Sequence, residues 1–305
     1  MIRHILRRLR TVPITLLLVA LVAFVVLRVT GDPVEIYLDI NATEEQRQLL
    51  TTKLHLDEPV LVQFGLFLSE LLRGDFGESL QFGGPAMPVV LERLGATMQL
   101  VAAALTLAFV LGIAAGIVAA LRKDRFADFA ISGLAVAGQS MPSFWLGILL
   151  IQLFALHLRW LPTSGTGGLE HLVLPAVTLA TFLLPNFILI TRTAVLETIN
   201  ELYVTTARAK GAGETVVVLG HVLPNAINPV LSFLGLQIGR LMGGSIITET
   251  IFAWPGVGSL MVKSIFQRDV PIVIAAIFVV ALAIVIANLI VDLVQSALDP
   301  RMRLD

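Results

Sequence analysis

The sequence predicts an all-α membrane protein with six transmembrane helices and an extracytoplasmic cap near its amino terminus. Three observations carry this expectation. The 305 residues are 56% hydrophobic and only 14% charged, whereas soluble domains carry about 25% charged residues. So much apolar surface needs lipid as its solvent. The apolar residues gather in six long runs, each near the ~20 residues that span a bilayer. Basic residues crowd alternate ends of those runs, the bias that marks cytoplasmic ends.

Taken in order, Arg3, His4, Arg7, Arg8 and Arg10 precede an apolar run over residues 12–27. A basic head and apolar middle also describe a signal peptide. The run is long for that, Arg28 follows it, and no small-x-small cleavage site appears. It is read as a first span with a cytoplasmic amino terminus. Gly31, Asp32 and Pro33 end it. Up to about Ala96 the chain is more polar and acidic, with Glu44, Glu45, Asp57, Glu58, Asp75 and Glu78, and is punctuated like short helices joined by turns. This segment is the expected cap.

The second run, residues 97–121, is rich in Ala and Gly, which let membrane helices approach closely. Arg122, Lys123, Asp124 and Arg125 close it as a cytoplasmic turn. The third run, about 129–156, is interrupted by Pro142, which frees backbone groups and permits a bend. A short outer loop with Trp160, Leu161 and Pro162 leads to the fourth run, 172–190, which contains Pro175 and Pro185 and closes with Arg192. The fifth run covers about 229–247 and the sixth 271–294. Counting Arg3, Arg7, Arg8, Arg10, Arg122, Lys123, Arg125, Arg192, Arg208, Lys210, Arg301 and Arg303 on one side, against Arg159, Lys263 and Arg268 on the other, places both termini in the cytoplasm.

Several classes of chemistry are missing. The net charge of −1 gives no reason to expect nucleic acid. With no cysteine there are no disulfides and no thiolate chemistry. His4, His55, His157, His171 and His221 are scattered without ligand spacing, so no metal site is expected. No G-x-x-x-x-G-K-[ST] phosphate loop occurs, and no paired carboxylates or nucleophile constellation stands out. The chain is therefore not expected to be an enzyme or to bind a cofactor itself.

One stretch between the fourth and fifth runs is a polar island. Thr205, Thr206, Ala207, Arg208, Ala209, Lys210, Gly211, Ala212, Gly213 and Glu214 lead to Leu223 and Pro224 in a helix, glycine, helix, proline layout. A charged double turn between two spans is more than a linker needs, and it reads as a docking element for a soluble partner. It resembles the cytoplasmic loop of ABC importer permeases, written E-A-A, three residues, G, nine residues, I-x-L-P. Thr205, Thr206 and Ala207 hold the E-A-A place and Gly211 the glycine; nine residues, 212–220, follow before His221, Val222, Leu223 and Pro224. The glycine and L-P anchors and their spacing match; the leading Glu is Thr205 and the Ile is His221. The T-A-R-A-K-G reading of residues 206–211 is similar to the dipeptide, oligopeptide and nickel branch. So are residues 54–59, 74–79, 140–144, 160–162, 288–293 and 298–301. Glu249, Ile251, Phe252, Trp254, Pro255, Gly256 and Gly258 resemble the E-x-I-F-x-x-P-G-x-G turn after the fifth span of such permeases.

The resemblance implies a type I importer permease with residues 1–93 as an added span and cap, 94–296 as the permease core and 297–305 as a cytoplasmic tail. It implies a second permease subunit, two ATPase subunits that bind ATP and Mg, an extracytoplasmic substrate-binding protein and a bacterial inner membrane. Residues 241–245 look like an ATPase signature but lie inside an apolar run, where Gly243 and Gly244 serve packing. Glu249, Trp254, Pro255, Gly256 and Gly258 are expected at the outer mouth, in a turn whose Gly256, like Glu78 of the cap, is accessible from outside. Arg240, the basic residue deep in the fifth run, is expected either to line the translocation path, with Gln237 on the same helical face, or to pair with a group of the second permease subunit. The expected cargo is a di- or oligopeptide, with chelated nickel or glutathione as alternatives. An ion-driven secondary transporter is the rival class, but no acidic residue near a span centre and no internal repeat supports it. A membrane enzyme or scaffold is a third reading, without catalytic residues to support it.

Overall fold

The computed structural model describes the backbone of residues 2–29, 43–53 and 55–298. The readings placed on residues 31–33, 54 and 299–303, and on the side chains of Arg3, His4, Arg7, Arg8, Arg10 and Asp292, lie outside what is described. The described residues are almost entirely helical. In order they form α1 (Ile2–Val29), α2 (Glu44–Lys53) and α3 (Val60–Leu72). A short hairpin, β1 (Glu78–Ser79) with β2 (Gly84–Pro85), precedes α4 (Ala86–Leu121). Then come α5 (Phe126–Ser140), α6 (Ser143–Leu150), α7 (Leu169–Thr181), α8 (Leu184–Thr198), α9 (Leu202–Ala209) and α10 (Glu214–Val217). The last three are α11 (Leu223–Ile251), α12 (Val257–Phe266) and α13 (Val270–Leu298). Wider π-helical turns extend α6 over Ile151–His157 and join α10 to α11 over Val218–Val222.

Three helical stretches are long and apolar enough to cross a bilayer alone: α4, the continuous helix Glu214–Ile251, and α13 over Val270–Val291. Two further candidates are bent pairs. The expected bend at Pro142 is a 105° break between α5 and the α6 helix with its π-helical extension. Its cause is local. Met141 precedes proline and is forced into an extended conformation (φ −85°, ψ 130°), so α5 ends there. The fourth run also breaks, by 57°, between α7 and α8. Pro185 sits in the first turn of α8, where its missing N–H costs nothing. Pro175 stays inside α7.

The described chain divides into two compact units. One comprises the described residues among 2–95 with 256–286, the other residues 96–255 with 287–298. Residues 256–286 thus pack with the amino-terminal segment. In the first unit, Ala86 and Val90 of α4 meet Val257 and Leu260 of α12 and Ile272, Ala275, Ala276 and Val279 of α13 in one apolar cluster. Phe24 of α1 packs on Phe64 and Phe67 of α3 at 5.3 and 5.6 Å between ring centroids. The hairpin is tied down by Asp269, which is buried; one of its oxygens accepts from the Ser79 hydroxyl and, at 3.2 Å, from the Gln81 N–H.

In the second unit, α4 lies against α8 at the distance of bare backbone. A Cβ on Gly112 would fall 2.3 Å from the Phe187 Cβ. One on Gly116 would fall 2.6 Å from the Thr191 Cβ and 2.8 Å from the Ile188 carbonyl oxygen. Gly112 and Gly116, four residues apart, let two membrane helices approach without a side chain between them. Phe187 fills the space beside them, edge-on to Phe109 and Phe233. Below this contact Asp128 of α5 is buried and paired bidentately with Arg192 of α8. Arg192 Nε donates to Asp128 Oδ1 at 2.6 Å and Nη2 donates to Oδ2 at 2.7 Å.

Candidate functional site

The polar island folds as its layout suggests. Helix α9 starts after Glu201, whose extended backbone (φ −68°, ψ 147°) precedes the first turn. It stops at Gly211, whose φ of +85° lies in the left-handed region that glycine adopts without a Cβ penalty. Gly211 N–H donates to the Arg208 carbonyl at 2.9 Å and Ala212 N–H to the Ala207 carbonyl at 3.3 Å. That pair of bonds is the Schellman closure of a helix carboxyl end. Two residues later Gly213 turns extended and α10 begins. Pro224 lies in the first turn of α11.

The two short helices are fastened to each other and to the unit beneath. Arg208 Nε donates to Glu214 Oε1 at 2.8 Å and Nη2 to Oε2 at 3.2 Å, clamping α9 to α10 across the glycine turn. Hydrogen bonding to Glu214 holds the Arg208 guanidinium above its ordinary pKa, so it stays charged throughout the physiological range. Val204 and Ala207 of α9, Val217, Val222 and Ala226 are buried against Ala120, Ala194 and Val195. The inward stripe is apolar and small. Thr205, Thr206, Arg208, Ala209, Lys210, Gly211, Gly213, Glu214 and Pro224 are exposed, and Ala212 and Leu223 half-buried. All twelve residues singled out in the sequence are therefore on this element, with Ala207 facing inward.

Sequence reasoning missed the apolar part of the outer face. Leu202 is 84% exposed, and Tyr203, Val216 and Leu219 are exposed beside it. Tyr203 is held by Asn225, whose Nδ2 donates to its hydroxyl at 3.0 Å. The available signal was that these residues fall outside the 3.6-residue stripe that buries Val204, Ala207 and Val217. Large apolar side chains left outside on an otherwise polar element suit a protein contact.

The turn after α11 differs from expectation. Glu249 is 0% exposed, Trp254, Gly256 and Gly258 are buried, and Pro255 is half-buried. Gly256, expected to be reachable from outside, is buried within this subunit, and Ala253 is the exposed residue between Phe252 and Pro255. Glu249 and Trp254 are held inside by hydrogen bonds. Glu249 Oε1 accepts from the Thr97 hydroxyl at 2.8 Å and from the Ser245 hydroxyl at 3.2 Å. Its carbonyl accepts from Trp254 N–H at 2.8 Å, and the Trp254 indole donates to the Ala96 carbonyl at 2.8 Å. A carboxylate with such partners is drawn inside.

Arg240 and Gln237 also separate. Helix α11 begins earlier than the apolar run suggested, so depth is counted from its other end. Arg240 lies 11 residues before Ile251, roughly 16 Å along the axis. It is exposed, with its guanidinium carbon 5.5 Å from the centroid of Phe182, at the break between α7 and α8. Gln237 is buried, and its Oε1 has no hydrogen-bond partner among the described residues. Gln237 thus faces the interior of the subunit and Arg240 its surface. Phe182 is the partner that the sequence did not reveal. Among the described residues no group of three or more His, Cys, Asp or Glu side chains is placed to hold a metal.

Long apolar helices, two pairs of them sharply bent, give the described chain the composition of a multi-span membrane protein. Residues 112–304 match the family described as binding-protein-dependent transport system inner membrane component, and residues 1–109 its amino-terminal companion. The chain belongs to this family and is the permease subunit of a binding-protein-dependent ABC importer, with type I architecture in the inner membrane. Among its relatives are the glutathione transport system permease proteins GsiC of Escherichia coli strain K12 and of Salmonella typhi. Each is 38% identical over 304 residues, 99% of both chains. The fold is similar to two inward-facing structures of the MetNI methionine ABC transporter. They are 18% and 17% identical, cover 70% of this chain and 97% of theirs, and have TM-scores of 0.57 and 0.58. A permease of this class works with ATPase and substrate-binding partners, and it transports rather than catalyses.

Proposed function

We propose that this subunit pairs with a second, similar permease and two ATPase subunits to import small peptides delivered by an extracytoplasmic binding protein. ATP and Mg belong to the ATPases. Substrate passes between the two permeases as the assembly alternates between outward and inward openings. Six spans with cytoplasmic termini complete the reading, α1 being the first and residues 30–93 forming the outer cap. The cargo class is di- or oligopeptide, and the full-length similarity to glutathione permeases favours a short anionic peptide within it. Chelated nickel is the remaining alternative.

The observation that carries the reading is the clamped double turn. Its Gly211 φ, its Arg208–Glu214 pair and its outward Leu202 and Lys210 make a rigid knob suited to an ATPase cleft. Gly211→Asp is expected to abolish substrate-stimulated ATP hydrolysis in the reconstituted complex while membrane insertion is kept. Gly211→Ala separates strain from charge. It meets no atom within 4 Å and is expected to cost only about 1 kcal/mol through the positive φ. Coupled transport at the wild-type rate in the Asp variant would remove the docking assignment.

Orientation is tested by thiol labelling. Glu78 is exposed and Gly256 is buried. In this cysteine-free chain Glu78→Cys is expected to react with an impermeant maleimide added from outside, and Gly256→Cys to stay unlabelled. Labelling of Glu78→Cys only in inverted vesicles would reverse the topology.

Arg240 is proposed to attract the carboxylate of a peptide in the path. A guanidinium at this depth costs at least ~2.5 kcal/mol against lipid, so it faces water or a charged group, and Phe182 steadies it by a cation–π contact. Arg240→Gln is expected to lower transport of an anionic peptide about tenfold with assembly and basal ATPase activity intact. Loss of the complex instead would assign Arg240 to the other permease.

A further inference from the structure

We infer that α5 carries a binding site for an anionic phospholipid, with the headgroup on the turn 122–125 and an acyl chain in an apolar cleft against α8. The turn presents Arg122, Lys123 and Arg125, all exposed. Among the described residues none of the three forms an ion pair. Asp124 offsets one of them, which leaves two positive charges; Asp128, the next carboxylate, is already neutralised by Arg192. Directly after the cations come Phe126 and Phe129, 88% and 68% exposed. Cations followed by bare aromatic rings match the order in which a membrane offers phosphate and then hydrocarbon.

The second observation is independent of charge. Ile131, Leu134 and Gly138 of α5 line one wall of a cleft of about 210 Å³, and Leu184, Pro185 and Ile188 of α8 line the other. The 57° break that starts α8 at Leu184 opens this space. Ile131 lies six residues beyond Arg125 and Gly138 thirteen, about 9 and 20 Å down the helix. An acyl chain whose phosphate sits on the turn runs along that path. Charge complementarity selects an anionic lipid over an apolar helix, which would have no use for the basic turn. Anionic leaflets attract such basic segments, each Lys or Arg counting for about fivefold in affinity.

The test is native mass spectrometry of the assembled transporter with phosphatidylglycerol and phosphatidylcholine of identical acyl chains. The wild type is expected to retain phosphatidylglycerol about tenfold more than phosphatidylcholine. The variant Arg122→Gln, Lys123→Gln, Arg125→Gln is expected to lose that preference and keep the weak binding of both. Gly138→Leu places a side chain in open space and is expected to reduce retention of both lipids without lowering the melting temperature. Unchanged phosphatidylglycerol retention in either variant overturns the site. So does competition by soluble glycerol phosphate as effective as the lipid, which would mean an anion site without a chain. Retention by the isolated chain but not by the assembly would make the cleft a subunit interface and equally overturn it.

Discussion

Arg192→Leu is expected to destabilise the subunit by about 3 kcal/mol, the cost of stranding one partner of a buried ion pair. Asp128 is only 4% exposed, and both of its oxygens accept from the Arg192 guanidinium. Its remaining partners, the Asp124 N–H at 3.1 Å and the Ser132 hydroxyl at 3.4 Å, cannot balance a full charge. The Arg192 side chain is 25% exposed, which holds the loss at the lower end of the buried range. Asp128→Asn is expected to cost less, because the stranded arginine reaches solvent. The double variant Asp128→Leu, Arg192→Leu is expected to recover most of the loss, since replacing both members of such a pair with apolar groups is often neutral. Thermal unfolding of the purified subunit in detergent gives all three values. Additive losses in the double variant would mean that the two residues act separately.

Gly116→Ala is expected to cost about 1–3 kcal/mol, because the new methyl meets backbone as well as side chain on α8. Gly112→Leu is expected to cost more, since Phe187 is fully buried and has nowhere to retreat. Gly95, on the same helix, is the control: a Cβ there meets nothing within 4 Å. Gly95→Ala is expected to be neutral or to gain up to ~1 kcal/mol of helix propensity. The readout is the melting temperature together with the monodisperse fraction on size exclusion. A Gly116→Ala variant that melts with Gly95→Ala would refute the close approach of α4 and α8.

How much of this was legible in the sequence depends on how local each cause is. Pro142 and Met141 are neighbours, and the break there could be anticipated, though not its size. The double turn was readable because Gly211, Leu223 and Pro224 act on their own backbone. Glu249 was legible only as part of a turn motif. Its burial depends on Thr97, 152 residues away, and no periodicity reports such a partner. Arg192 looked like an ordinary basic residue at a span end because Asp128 lies 64 residues earlier. Gln237 and Arg240 share a helix face by spacing, but which side of that face is covered is decided by other helices.

The π-helical turn at Val218–Val222 has a further consequence for how motion passes along the chain. Its hydrogen bonds close over five residues, where those of the α-helices on either side close over four. The phase between α10, which carries Glu214, and α11, which carries Arg240, is therefore set within these five residues. A single-residue slip of this turn rotates everything downstream by about 100°. Such a slip would carry Arg240 away from the ring of Phe182, 5.5 Å from its guanidinium carbon here, without melting the span.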